Sequence, residues 1–491
     1  MTLDADLYAI QEVRNHLTQA KDAQKKFAAY SQEQIDAIVA AMSRAGVDAA
    51  ERLAALAVEE TGFGNIRDKQ IKNQFAAERV YEWIKNARTV GLIRKDEGNN
   101  VWEVAEPVGV VAGIIPSTNP TSTVIFKSLI ALKARNAIVF SPHPSAAACT
   151  LAAAKVMDEA VVQAGAPAGL IRCISKPTLS ATHELMVHKL TDLILATGGS
   201  AMVKAAYSSG KPAYGVGPGN VPVYIHHSAD LPAAAKRIVQ SKSFDYGTIC
   251  ASEQAMVIEE SVKRPFLAAL EREGAYFLND FEREKIADLL MVNGSLNPKI
   301  VGRSPQAIAQ MAGILIPQET TVLIAEEVSV GKAYPLSFEK LAPILAMYTV
   351  HDQQEGFDRC HELLTLGGLG HTAGIHSQDD AVIAAYGLAM PASRITVNTG
   401  TTFGGIGATT GIQPSLTLGC GSFGNNITSD NIGPEHLMNI KRVAFGIREM
   451  QKTAAAEPKP QTLVEGTEWG IGLSREEIKT IIKSVLTEMT S

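Results

Sequence analysis

The sequence predicts an α/β protein built from doubly wound parallel sheets. Short apolar runs, such as residues 108–115, have the composition of strands buried on both faces. They alternate with segments of helical periodicity, such as residues 123–134, and this alternation is typical of parallel strands joined by crossover helices. A second alternation begins near Val221 and runs to about Ile412. We therefore expect two α/β domains separated by a cleft, with ligands at the carboxyl ends of the strands.

The predicted elements follow in order along the chain. Residues 1–90 favour helices, and Ser31 and Gln34 form a capping box ahead of apolar positions at helical spacing. The helices of the first alternation begin at Thr123, Ser145, Ser180 and Ser200. The predicted strands are residues 101–105, 108–115, 137–140, 170–174, 192–196, 213–216, 255–258, 322–325, 344–350 and 394–398.

Composition excludes several classes of protein. The 491 residues carry 45 basic and 51 acidic side chains, a formal charge of −6, and 46% of them are hydrophobic. This balance is that of a globular protein, and the lack of a basic stripe argues against a nucleic-acid partner. Apolar runs such as residues 381–392 are shorter than the ~20 residues of a membrane helix. Without a signal peptide at the N-terminus, a cytoplasmic enzyme with no membrane partner is expected.

The five cysteines are too few and too scattered for a disulfide framework. Cys149, Cys173 and Cys360 lie in predicted helices or strands and are interpreted as inert buried thiols, while Cys420 lies in a glycine-rich loop. Cys250 lies between a glycine turn and a strand. A thiol there is expected to be exposed near backbone N–H groups that lower its pKa, which makes it a candidate nucleophile.

Three glycine clusters were compared with phosphate-binding motifs. Residues 419–424 match G-x-G-x-x-G but close no strand–helix–strand unit, so we do not interpret them as a dinucleotide site. Residues 215–220 lack the third glycine. Residues 197–200, Thr-Gly-Gly-Ser, follow a strand and open a helix. They are either a pyrophosphate site at a helix N-terminus or a simple tight turn.

Several motifs occur in the order and spacing of the aldehyde dehydrogenase superfamily. They are Glu106-Pro-Val-Gly-Val-Val, Ile115-Pro-Ser-Thr-Asn119-Pro, Thr197-Gly-Gly-Ser200, Cys250 with its flanks, Phe338-Glu339-Lys-Leu-Ala-Pro343 and Gly370-His371-Thr. Over roughly residues 8–448 the chain resembles the CoA-acylating branch, and in particular the aldehyde dehydrogenase half of bifunctional aldehyde-alcohol dehydrogenases.

This resemblance implies an aldehyde dehydrogenase fold and its domain organisation. The expected parts are a Rossmann-like NAD domain at residues 1–220 with an oligomerisation hairpin near residues 99–106, an α/β catalytic domain at residues 221–415, a return and oligomerisation segment at residues 416–450, a linker at residues 451–473 and an amphipathic tail helix at residues 474–491. A homodimer or homotetramer is expected.

The resemblance also implies the residues of the site. Cys250 falls on the nucleophile, Asn119 on the side-chain donor of the oxyanion hole, and Glu339 on the carboxylate that holds the nicotinamide ribose. The expected cofactor is NAD, with coenzyme A as co-substrate. Further residues expected to contact the cofactor are Ser141, Pro142, His143, Thr197, Gly198, Gly199, Ser200, Gly217 and Pro218. Because Ser141 and Pro144 replace the lysine and glutamate of hydrolytic relatives near the adenosine ribose, NAD and NADP both stay open.

Two departures separate the chain from hydrolytic members. Val216 falls on their water-activating glutamate, and an apolar side chain cannot act as a general base. The acyl-enzyme should therefore survive until CoA arrives. His371 belongs to a motif of the acylating branch and is expected to aid acyl transfer to CoA, to hold the acyl group, or to be a structural histidine. Propionaldehyde and acetaldehyde are both candidate substrates. The rival functions are a hydrolytic dehydrogenase and a non-catalytic scaffold or cargo protein.

Two further predictions concern metals and the tail. No metal site is expected, because His226-His227 has no nearby cysteine partner. Ser474 and Glu477 form a capping box ahead of an apolar stripe at helical spacing. The tail resembles the encapsulation peptides of bacterial microcompartment enzymes, which would make shell proteins its partner. The alternative is a helix that docks on its own domain or on a partner subunit.

Overall fold

The computed structural model describes residues 4–292, 294–450 and 473–489. The strands are β1 (Gly91–Asp96), β2 (Val101–Pro107), β3 (Val110–Ile114), β4 (Ala137–Ser141), β5 (Ile171–Cys173), β6 (Leu193–Thr197), β7 (Ala213–Val216), β8 (Val221–Ile225), β9 (Glu253–Glu259), β10 (Ala275–Phe277), β11 (Met291–Val292), β12 (Ser295–Leu296), β13 (Val322–Glu326), β14 (Ile344–Val350), β15 (Gly370–His376), β16 (Ala392–Val397) and β17 (Met438–Ala444).

Helices connect and cover these strands. They are α1 (Ala5–Phe27), α2 (Gln32–Asp48), α3 (Ala50–Thr61), α4 (Ile66–Gln74), α5 (Val80–Ile84), α6 (Pro120–Lys133), α7 (Ala147–Gln163), α8 (Leu179–Val187), α9 (Ser200–Ser208), α10 (Leu231–Ser243), α11 (Glu260–Arg272), α12 (Asp280–Leu290), α13 (Pro305–Ala312), α14 (Gln353–Gly367), α15 (Asp380–Ala389), α16 (Thr401–Gly405) and α17 (Arg475–Glu488). A π-helical turn, Phe75–Arg79, joins α4 to α5.

The first sheet is the predicted Rossmann-like unit. Its five strands are parallel in the order β5-β4-β3-β6-β7. The chain enters at β3, builds outwards to β5, and then crosses to β6, so the strand order reverses between β3 and β6. A crevice forms at such a reversal, outside the carboxyl ends of the strands. The segments that follow these two strands carry Asn119 and residues 197–200.

The second sheet has seven parallel strands in the order β10-β13-β14-β9-β8-β15-β16. Buried apolar side chains cover both of its faces. Cys250 precedes β9, and His371 lies at the start of β15, the strand on the other side of β8. These residues therefore meet at the amino ends of the strands. The candidate site residues thus lie at the carboxyl ends of the strands in the first sheet and at the amino ends in the second.

The predicted hairpin is present, with a third strand added. β1 and β2 pair antiparallel, and β17 completes a three-stranded sheet in the order β1-β2-β17. β17 belongs to the predicted return segment, residues 416–450. The return segment thus brings the chain back to the hairpin, although the two lie more than three hundred residues apart in sequence.

The tail forms the predicted helix. α17 begins after Ser474, whose side chain accepts from the Glu477 N–H while the Glu477 carboxylate accepts from the Ser474 N–H, as a capping box requires. The predicted linker lies outside the described residues except for Leu473. Among the described residues, every helix is too short or too polar to cross a bilayer.

Candidate active site

The central contact of the site joins a cysteine and a histidine. The Sγ atom of Cys250 lies 3.3 Å from Nε2 of His371. Cys250 is half-buried, and His371 is fully buried. The two residues are 121 positions apart in sequence and are brought together by the adjacent amino ends of β9, β8 and β15. The histidine of the Gly370-His371-Thr motif therefore contacts the candidate nucleophile directly.

Burial governs the charge state of both groups. It raises the pKa of the Cys250 thiol to about 12, with the Glu339 carboxylate as the next cause. Burial and the nearby Arg394 guanidinium hold the pKa of His371 well below its usual range. The resting pair is therefore a neutral thiol beside a neutral imidazole. The prediction of a lowered cysteine pKa is wrong, because desolvation outweighs the nearby backbone N–H.

Two features hold the pair in place. The Arg394 guanidinium donates to the His371 carbonyl at 2.7 Å and, through Nε, to Oγ1 of Thr372 at 3.3 Å. That hydroxyl lies 3.0 Å from Nδ1 of His371, so both ring nitrogens have polar neighbours. Gly219 packs against the pair so closely that a Cβ there would lie 2.3 Å from the Cys250 carbonyl oxygen. Only glycine fits this position.

The predicted oxyanion donor lines the same cavity as Cys250. Asn119 ends the loop after β3 and precedes α6, where Pro120 occupies the first turn. Its Nδ2 lies 3.1 Å from Oγ1 of Thr118 and 3.4 Å from the carbonyl oxygen of Thr248. Its Oδ1 accepts from Nζ of Lys72. Lys72 was not singled out in the sequence, where it is one lysine of an unremarkable helix.

A cleft of about 540 Å³ runs from Cys250 towards the first sheet. Besides Cys250, eight of the predicted site residues line it: Asn119, His143, Thr197, Gly198, Gly199, Gly217, Pro218 and Glu339. A side chain at Gly199 would meet open space, so the cleft passes directly over the backbone there. The Thr197 hydroxyl is buried without a hydrogen-bond partner. Free N–H groups at the start of α9 and this hydroxyl fit a phosphate-bearing cofactor.

Three predicted cofactor residues are placed differently. The Ser141 hydroxyl bonds to the hydroxyl of Thr182 at 2.7 Å, in the interior. Ser141 and Pro142 are buried and do not line the cleft. Ser200 lines a neighbouring cavity of about 610 Å³ that shares Gly217 and Pro218 with the cleft. The structure therefore does not bring these three side chains together with the rest.

Glu339 is the only carboxylate among the described residues that line the cleft. Its Oε1 accepts from the Gly219 N–H at 3.0 Å, and burial raises its pKa to about 7. Val216, which the resemblance places on the hydrolytic base, also lines the cleft and is nearly fully buried. Glu339 is thus engaged by the backbone N–H of Gly219.

Three residues with side chains that can bind metals lie at the end of the second sheet opposite to Cys250. Ligand atoms of His226, His227 and Glu259 lie within 4.8 Å of one another, a group that the sequence prediction missed because Glu259 lies on another strand. Its carboxylate is already engaged by the Tyr224 hydroxyl, by Nδ1 of His227 at 2.6 Å and by the His227 N–H at 3.0 Å. These contacts explain why the three residues lie together: the two histidines and the tyrosine surround a carboxylate that accepts their hydrogen bonds. The group lies away from Cys250.

Comparison with known proteins identifies the family. The aldehyde dehydrogenase family profile matches residues 5–276, and the chain belongs to this family. It is 46% identical to the aldehyde-alcohol dehydrogenase of Clostridium acetobutylicum over 89% of this chain and 51% of that protein. The chain thus spans about half the length of the curated aldehyde-alcohol dehydrogenases that it matches. The predicted fold and the resemblance to the acylating branch are confirmed.

Solved structures give the same result. An acetylating aldehyde dehydrogenase from Geobacillus thermoglucosidasius is 64% identical, with a TM-score of 0.91 over 92% of this chain and 100% of that one. A Rhodopseudomonas palustris propionaldehyde dehydrogenase with bound CoA and an acylated cysteine is 28% identical, with a TM-score of 0.79 over 88% and 97%. A propionaldehyde dehydrogenase from the Clostridium phytofermentans fucose utilisation microcompartment is also 28% identical, with a TM-score of 0.80 over the same shares.

Proposed function

We propose that the chain is a CoA-acylating aldehyde dehydrogenase for a short aliphatic aldehyde. The reaction is aldehyde + NAD⁺ + CoA → acyl-CoA + NADH + H⁺. The observation that carries the proposal is the contact of 3.3 Å between the buried His371 and Cys250, which lines a cleft where Val216 takes the place of the hydrolytic base. A nucleophilic thiol with a neighbouring base can form a thioester, and an apolar residue at the water-activating position preserves that thioester for CoA.

The first half of the reaction uses the neutral pair. With Nδ1 of His371 donating to the Thr372 hydroxyl, Nε2 is free to accept the thiol proton as Cys250 Sγ attacks the aldehyde carbon. The new C–S bond converts the carbonyl oxygen to an alkoxide, which accepts from Nδ2 of Asn119 and the Cys250 N–H. When bound, NAD⁺ supplies the hydride acceptor. Loss of hydride from the same carbon restores the C=O bond and leaves the thioester.

The second half transfers the acyl group. His371 carries a proton poorly, because burial and Arg394 oppose its charge, and it therefore returns that proton to solvent. It can then accept the proton of the CoA thiol. The CoA sulfur forms a C–S bond with the acyl carbon, the bond to Cys250 breaks, and the leaving thiolate takes the proton back. Acyl transfer to CoA is one of the roles that the motif leaves open for His371, and the contact with Cys250 supports a role in both steps.

The residues that line the cleft support NAD as the cofactor. Thr197, Gly198 and Gly199 would hold the pyrophosphate at the start of α9, and Glu339 would hold the nicotinamide ribose. Ser141 bonds to Thr182 and leaves the adenosine end without a charged side chain from β4. We propose NAD rather than NADP, because a 2′-phosphate is usually met by an arginine. We also propose the domain limits 1–220 and 221–415, since the strands of the first sheet precede residue 220 and those of the second follow it.

Assembly and location extend the proposal. β17 is an edge strand of the small sheet, and an unpaired edge in the described chain favours pairing with another chain. We propose that this sheet mediates a homodimer or homotetramer.

The apolar stripe of α17 is exposed along its length, and an amphipathic helix of this kind fits a groove on another protein. We propose that it binds microcompartment shell proteins, a location consistent with the fucose-compartment relative.

Product analysis tests the activity. Propionaldehyde, acetaldehyde and butyraldehyde would each be incubated with NAD⁺, with and without CoA, and the products separated by chromatography. We expect acyl-CoA in amounts equal to NADH, and a preference among the three aldehydes that identifies the substrate. Equal yields of free acid with and without CoA would support the hydrolytic alternative. Failure of every aldehyde to yield NADH would support the scaffold alternative.

A further inference from the structure

A buried polar network lies behind the oxyanion donor. Asp245 is fully buried and accepts through Oδ2 from Nζ of both Lys69, at 3.0 Å, and Lys72. The same oxygen accepts from the Thr248 hydroxyl at 2.7 Å. Lys72 continues the network to Oδ1 of Asn119. One buried carboxylate thus anchors two buried ammonium groups, and one of these groups reaches the side chain that faces the cleft.

The network permits a single orientation of the Asn119 amide. Lys72 can only donate, and the Thr248 carbonyl oxygen can only accept. The observed orientation places Oδ1 against the ammonium group and Nδ2 3.4 Å from that carbonyl. The flipped amide would place two donors together at Lys72 and two acceptors together at Thr248. In a buried setting each mismatch costs the desolvation of an unpaired group.

The local backbone is built to hold this arrangement. Asp245 and Tyr246 both adopt left-handed conformations, with φ of 48° and 54°, which are unfavourable for residues other than glycine. Gly64 lies so close that a Cβ there would be 1.8 Å from Oδ1 of Asp245. The turn Phe244–Gly247, which precedes Cys250, is therefore strained, and it brings the Asp245 carboxylate between the two lysines.

We propose that Lys72 is a positioning residue that fixes the orientation of the Asn119 amide, so that its N–H₂ group exchanges the long 3.4 Å contact with the Thr248 carbonyl for the alkoxide formed at Cys250. Lys72 touches no substrate in this account and acts only through Asn119. The proposal rests on the proposed function, since it requires an alkoxide at that point. It also explains why a lysine is kept in the interior, where burial lowers its pKa to about 8.

A double-mutant cycle tests the proposal through the rate of the NADH burst. Asn119→Ala should lower that rate about 10²-fold, the usual loss for one oxyanion donor. Lys72→Met should lower it at least about tenfold, and the double variant should be no slower than Asn119→Ala alone, because Lys72 acts only through the missing amide. Multiplicative losses, or a normal burst in Lys72→Met, would overturn the proposal.

Two variants and one chemical probe serve as controls. Lys133→Met removes another buried ammonium group, one that pairs with Asp36 outside this network, so its burst should stay close to the wild-type rate. Lys72→Gln keeps a neutral donor and should be faster than Lys72→Met; a slower Lys72→Gln contradicts the proposal. Alkylation of Cys250 by iodoacetamide forms no alkoxide and should proceed at the wild-type rate in Lys72→Met. Parallel loss of alkylation and burst would mean that the lysine supports the thiol instead. A wild-type enzyme that is alkylated but gives no burst would refute the proposed function itself.

Discussion

The Cys250 Sγ and the His371 Nε2 lie 3.3 Å apart, and burial leaves both groups uncharged at rest. A thiol with a pKa of about 12 is almost entirely protonated at neutral pH, so its nucleophilicity depends on a proton acceptor at the moment of attack. In the proposed mechanism the buried imidazole is that acceptor, because burial and Arg394 hold its pKa low and leave it unprotonated at rest.

Replacing the nucleophile should remove the chemistry and leave the fold intact. Cys250→Ala should lower the rate of NADH formation by more than about 10³-fold, because no other group can form the thioester. Cys360→Ala removes a buried thiol in α14 and should retain the wild-type rate. NADH formation is followed at 340 nm. A Cys250→Ala enzyme with more than about a tenth of the wild-type rate would exclude covalent catalysis by this residue.

Replacing the base should change the pH dependence of the first step. In His371→Ala the burst rate should fall and then follow the thiolate fraction, rising about tenfold per pH unit from pH 7 to 9.5, since the thiol pKa lies above that range. The wild-type burst should vary much less over the same interval. Stopped-flow measurements of NADH provide both profiles. A burst of normal rate in His371→Ala would limit the histidine to the CoA step.

Glu339 should make stability depend on pH. Its raised pKa, about 7, means that the folded protein holds this proton more tightly than the unfolded chain. The bound proton therefore adds to the free energy of unfolding. This contribution is fully present below the ordinary carboxyl pKa and is lost as the pH rises through about 7. Glu339→Gln, which stays neutral, should match the wild-type Tm at pH 5 and exceed it at pH 8.5. The exposed Glu319→Gln is the control. A constant Tm difference across this range would contradict the raised pKa.

Residues within short motifs could be predicted from the sequence, and residues joined by tertiary contacts could not. Cys250, Asn119 and Val216 lie in contiguous motifs, and strand 344–350 was predicted at its observed limits because it is a compact apolar run. Lys72 meets Asp245 across 173 positions. Contacts over such separations form only when α4, the loop after β3 and the turn Phe244–Gly247 pack together, and a short motif does not record this packing. The error in the cysteine pKa has the same origin, since burial is a property of the packed site.

The tail should act in targeting and leave catalysis unchanged. The apolar stripe of α17 consists of Ile478, Ile481, Ile482, Val485, Leu486 and Met489, all exposed. A fluorescent protein fused to residues 474–491 should gather at co-expressed shell proteins, and Ile481→Asp with Val485→Asp should abolish this by placing charge in the binding groove. Lys483→Asp, outside the stripe, is the matched control. Tail deletion that dissociates the enzyme or reduces kcat would instead assign the helix to its own assembly.

Omission of CoA tests the mechanism most directly. Enzyme mixed with aldehyde and NAD⁺ alone should release NADH in an amount equal to the Cys250 sites and then stop, because Val216 cannot activate water and the thioester persists. Adding CoA should release acyl-CoA in the same amount and restart turnover. Mass spectrometry of the stalled enzyme should locate the acyl group on Cys250. Continued formation of NADH and free acid without CoA would contradict the mechanism.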